Sequence, residues 1–159
     1  MKRILIAVLL FAGVAGVVGA QTISPISQDF GKGKASSDVT ITNDGLQPIS
    51  VSFWVATFTV ENGQKISKTL AETPGVTVKL STTSLKIPPK QSRVVSYDAK
   101  CPAGCNVEIR ARMSGLGMRV QNGMLLVLDL GSLAYIAPQG NNGHDQRAKV
   151  LLAGGYKDN

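Results

Sequence analysis

A period of two restricts this chain more than any other feature. From Gln21 onward, short runs rich in Val, Ile, Thr and Ser alternate apolar with polar side chains, and no stretch keeps the 3.6-residue period of an amphipathic helix. Residues 37–43 (SDVTITN) put Val39 and Ile41 on one face and run into Asn43-Asp44-Gly45, a turn sequence. Residues 49–60 (ISVSFWVATFTV) form a long strand pattern, one strand or two, ending at Glu61-Asn62-Gly63. Residues 76–80 (VTVKL), 85–87 (LKI, stopped by Pro88-Pro89) and 92–97 (SRVVSY) add three more. Residues 107–113 (VEIRARM) set Val107, Ile109, Ala111 and Met113 against Glu108, Arg110 and Arg112. Glycines 115 and 117 with Asn122-Gly123 mark a loop, and residues 124–136 (MLLVLDLGSLAYI) follow as the longest apolar strand. About seven short strands at regular spacing predict an all-β, antiparallel β-sandwich, with Trp54 as its central core aromatic.

The first twenty residues do not follow this pattern. Met1-Lys2-Arg3 is basic, residues 4–18 are apolar apart from glycine, and Val18-Gly19-Ala20 supplies small residues before Gln21. That three-part order is a secretory signal peptide over residues 1–20. The apolar run of 15 residues is short for a hydrocarbon core of about 30 Å. An uncleaved anchor is the competing reading. The expected location is periplasmic or secreted, with no membrane insertion after signal cleavage. In an oxidising compartment, Cys101-Pro-Ala-Gly-Cys105 predicts a disulfide that pins a turn, since Pro102 and Gly104 bring the chain back on itself. A redox pair would favour two intervening residues, and a metal site would want histidine nearby.

The side-chain inventory excludes most chemistry. The single histidine, His144, lies in a polar stretch, residues 139–145, and pairs with no placed nucleophile. Glu61, Glu72, Asp98 and Glu108 are scattered, and Gly115-Leu-Gly117 lacks the strand-to-helix setting of a phosphate loop. The expectation is no enzyme, no cofactor and no metal. The formal charge of +7 falls to +5 once Lys2 and Arg3 leave with the signal, 15 basic residues against 10 acidic ones. That surplus is spread out, no aromatic platform interleaves with it, and nucleic acid is not an expected partner. Arg110, Arg112 and Arg119 are read as a solvated face or as a small basic contact surface. Asp129, of opposite parity to Leu128 and Leu130, pairs with Arg110 or Arg112 if the strand is central and faces water if it is an edge; the edge is the favoured expectation.

Taken in order, four stretches resemble the amino-terminal domain of the periplasmic pilus-assembly chaperones. They are residues 39–48 with Ser52-Phe-Trp54, residues 85–92, residues 107–112 before the glycine-rich loop, and residues 124–138. The resemblance implies an immunoglobulin-like sandwich over residues 21–138, in a single-domain relative. About 21 residues follow Pro138, a polar tail over 139–159 in which residues 148–152 (AKVLL) are a possible extra strand. It also implies that the last strand donates alternating apolar residues to a pilus or envelope protein subunit, by strand addition. The matching positions are Met124, Leu126, Leu128 and Leu130; Leu125 and Val127 occupy the other face, so which set meets the core stays open. The family's basic anchor, an Arg in the first strand and a Lys in the last, has no counterpart in residues 23–30 or 131–133. The alternative is a structural or self-associating envelope protein without chaperone activity.

Overall fold

The computed structural model describes residues 20–116 and 126–155. The signal segment before Ala20, Met124 and Arg119 therefore lie outside the described residues. Ten strands and one α-helix follow one another, with one 3-10 turn at Leu70–Glu72: β1 Gln21–Ser24, β2 Ser27–Phe30, β3 Lys34–Asn43, β4 Ile49–Glu61, β5 Gln64–Thr69, β6 Thr77–Leu80, β7 Ser84–Ile87, β8 Gln91–Lys100, β9 Cys105–Ser114, β10 Leu128–Ile136 and α1 Gln146–Ala153. They form two sheets. One runs β1-β3-β8-β6, and the other β2-β10-β9-β4-β5, with β7 joined to the first half of β4. The all-β sandwich is as expected. The count exceeds seven because the first strand divides between the sheets, β1 antiparallel to β3 and β2 parallel to β10, and because β5 pairs with β4.

Alternation builds the core. Val39 and Ile41 of β3, Val95 of β8, Ile49 and Val51 of β4, and Val107, Ile109, Ala111 and Met113 of β9 are all at most 1% exposed between the sheets. Burying one such side chain contributes about 1.5–3 kcal/mol relative to leaving it in water. Asn62-Gly63 closes the β4–β5 hairpin with two positive-φ residues, 51° and 75°, the requirement of a type I′ turn whose twist suits the strands. The turn after β3 is organised from inside. Asn43, fully buried, donates to the carbonyls of Gln47, Ile87 and Pro88 at 2.9–3.1 Å and accepts from the Gly45 N–H at 3.0 Å. Its side chain thereby satisfies polar groups that burial would otherwise leave unpaired.

Two expectations are corrected here. Trp54 is absent from the core: Ile49, Val51 and Phe53 point inward, so the pleat turns Trp54 to the outer face of its sheet. Residues 148–152 are helical rather than a strand, within α1. This helix packs on β2, β4 and β10. The backbone N–H of Arg147 donates to Asp29 at 2.6 Å, and the Gly154 carbonyl accepts from Gly63 at 2.8 Å. The same outer face carries Phe58 and Tyr135, edge to face at 5.5 Å and each only 3% exposed. No described helix is long and apolar enough to cross a membrane.

Candidate functional site

The last strand has two halves with different surroundings. Along one side β10 pairs with β9 from Leu128 to Ile136. On its other side β2 pairs only with residues 133–136. Among the described residues no strand pairs with residues 128–132 on that outer side. Leu133 N–H donates to Ile26 at 2.8 Å and Ala137 N–H to Phe30 at 2.9 Å, so odd-numbered residues turn their backbone groups away from β9. The alternation of backbone direction along a strand then puts the N–H and C=O of Asp129 and Gly131 on the open side. Ser132 marks the boundary, its hydroxyl donating to the Pro25 carbonyl at 2.6 Å.

The even-numbered side chains grade along this strand. Leu126, just before β10, is 43% exposed; Leu128 and Leu130 are half-buried against the core; Ser132, Ala134 and Ile136 are at most 2% exposed. Val127, of the other parity, is 48% exposed. The last strand is shorter than residues 124–136, since β10 begins at Leu128. Leu126, Leu128 and Leu130 lie along one side, next to the unpaired backbone. Asp29 and Val60, which α1 and the residue after it meet, lie outside this half.

The outer face beside it is an ionic ladder. Asp129 lies opposite Arg112, and its Oδ2 accepts from Arg110 at 3.2 Å and Arg112 at 3.3 Å. This corrects the expectation that Asp129 faces water alone. Both guanidinium groups lie over the Trp54 ring, at 5.2 and 4.7 Å from its centroid, which explains why an aromatic stands on the outer face. Glu108, 4% exposed, accepts from Lys65 at 2.6 Å, with Arg110 at 4.0 Å. Gly131 makes room for that carboxylate: a Cβ there would stand 2.8 Å from Glu108 Oε1. Arg110 and Arg112 thus hold an internal partner, and their ladder stiffens the sheet under the open edge.

Cys101 and Cys105 are not bonded to each other in this structure. Burial pushes both thiols above their ordinary range, Cys105 further than Cys101. A thiol held protonated is a poor nucleophile, which disfavours redox catalysis at this pair. Among the described residues no cluster of His, Cys, Asp and Glu suits a metal ion. His144 is exposed and contacts its neighbour Asp145 at 2.6 Å.

No family model matches the sequence, and no curated protein matches it. Solved structures match in fold. The class 5 fimbriae chaperone CfaA superposes with a TM-score of 0.55 at 12% identity, over 76% of this chain and 57% of that one. The fold is that of the pilus chaperones. The Salmonella enterica SafA pilin–SafB chaperone complex gives 0.53 at 7% identity, over 77% and 56%. The E. coli chaperone DraB gives 0.50 at 13% identity, over 76% and 55%. The chain thus spans a little over half the length of these structures. They are named as chaperones, one of them in complex with a pilin.

Proposed function

We propose that this chain is an exported binding module of the pilus-chaperone kind, which engages an envelope or pilus subunit by strand addition at the first half of β10. One observation carries the proposal: among the described residues no strand pairs with the outer backbone edge of residues 128–132, beside the graded apolar row Leu126, Leu128 and Leu130. The partner strand bonds to the N–H and C=O of Asp129 and Gly131, and its apolar side chains meet that row. Open, apolar edges invite aggregation when nothing uses them, so a dedicated occupant accounts for this one. Recognition rests on backbone and apolar contact, because residues 23–30 hold no Arg and residues 131–133 no Lys to anchor a carboxylate. The signal segment supplies the periplasmic setting.

The test is co-expression in a periplasm with the pilin-like subunits of the same cell. A one-to-one complex with a subunit is expected for the natural chain. Leu126→Ser with Leu128→Ser loses it while strand content stays unchanged by circular dichroism. Binding that survives in the folded double variant removes the proposed edge. A homopolymer with no subunit supports the structural reading in its place.

A further inference from the structure

A second surface lies at the far end of the other sheet, independent of the β10 edge. Three segments converge there: the turn of residues 31–33, the end of β8, and the stretch of residues 137–142. Backbone bonds fix them to one another. Lys32 N–H donates to Asn141 at 2.7 Å, Gly33 N–H to Ala137 at 2.8 Å, Cys101 N–H to Gly33 at 2.7 Å, and Gln139 N–H to Pro102 at 2.9 Å. Lys32 itself stands at φ 60°, a left-handed conformation uncommon outside glycine, and is presented by the turn rather than by a strand. Gly31 lies so close to this stretch that a Cβ would fall 2.5 Å from the Asn142 carbonyl carbon.

A cleft of about 610 Å³ opens between these segments. Its lining includes Lys32, Lys34, Lys100, Gln139 and Asn142, and no Asp or Glu. Among the described residues none of the three lysines forms an ion pair. Lys34 and Lys100 are direct cross-strand partners of β3 and β8. Like charges directly opposite one another destabilise a sheet. A neighbouring groove of about 810 Å³ shares these two lysines and adds Lys79 with Asp98, which face each other across β6 and β8. Asp98 stands opposite Lys79 and two residues from Lys100 along β8, and it lines the neighbouring groove and not the first cleft.

We propose that this cleft binds a phosphate ester of sugar or glycerol size, either free or as a lipid headgroup. The ammonium groups are compact, strongly hydrated donors suited to phosphate oxygens as point charges. The amides of Gln139 and Asn142 supply donors and acceptors for hydroxyls. The volume falls in the range of small-molecule sites, about 300–1,000 Å³. An anion seated between Lys34 and Lys100 turns their mutual repulsion into attraction for a shared ligand.

The test uses glucose 6-phosphate and, separately, phosphatidylglycerol vesicles, with the natural chain, Lys34→Gln/Lys100→Gln, and the charge-matched Lys68→Gln/Lys86→Gln. Glucose 6-phosphate is expected to raise the thermal midpoint of the natural chain saturably and to shift the amide resonances of Lys32, Gly33 and Lys100. The cleft variant binds at least tenfold more weakly, and its midpoint without ligand is no lower than that of the natural chain. The charge-matched variant behaves as the natural chain. Binding to vesicles but not to the sugar phosphate assigns the ligand to the lipid source. The proposal is overturned if neither probe binds, if sodium chloride at equal ionic strength reproduces the effect, or if the charge-matched variant weakens as much as the cleft variant.

Discussion

Residues 128–132 and 133–136 belong to one strand, pair with the same neighbour β9, and meet different fates. The later half lies between β9 and β2, and its even side chains are fully buried. Among the described residues the earlier half has β9 on one side only, and its leucines, Leu128 and Leu130, are half-buried, with buried Ser132 at the boundary. A strand closed along its whole length would serve stability alone, and one open along its whole length would lose its hold on the sandwich. The division lets a single element anchor the fold at one end and leave a template at the other.

Truncations separate the halves most strongly. Ile136→Ala removes a fully buried side chain and is expected to lower stability by about 2–5 kcal/mol, whereas Leu128→Ala, half-buried, lowers it by about 1 kcal/mol. Urea unfolding followed by circular dichroism measures both, and equal losses would mean that the halves do not differ in burial. A disulfide between Cys101 and Cys105 would sharpen the closed half from outside, because Cys105 is the register partner of Ile136. Protein exported to an oxidising compartment is expected to weigh two hydrogens less than the reduced chain. Loop closure of so short a segment supplies about 2 kcal/mol, and Cys101→Ser with Cys105→Ser removes it. Two free thiols in the exported protein would contradict the disulfide. The smallest effect belongs to the ladder beside the open half: Arg112→Ala costs about 0.5 kcal/mol, less at high salt, because the group is largely exposed. A loss that salt leaves unchanged would assign the role to stacking on Trp54 instead.

Much of this was legible where period and parity agree. The inward set Val107, Ile109, Ala111 and Met113 is visible in the sequence of β9, and Asn62-Gly63 announces its hairpin. Trp54 shows how size misleads: its bulk argued for the core, while the parity of Ile49, Val51 and Phe53 already assigned it to the outside. The partners of Asp129 depend on the register between β9 and β10, which no local pattern contains. Strand β5 (QKISKT) is exposed throughout, so it shows no apolar face to read. The five residues AKVLL are too short to distinguish a strand from a helix by period, and contacts with β2, β4 and β10 decide in favour of the helix. The open half of β10 was legible as an apolar row, but its openness depends on where β2 stops.

Amide hydrogen exchange at Asp129 and Gly131, in the isolated chain and in its complex with a pilin-like subunit, tests the central claim most directly. Alone, both amides are expected to exchange at least a hundredfold faster than Leu133 and Tyr135, and in the complex they become protected to the same degree as those two. Protection in the isolated chain, or no change on complex formation, would show that this edge is not where a strand is added.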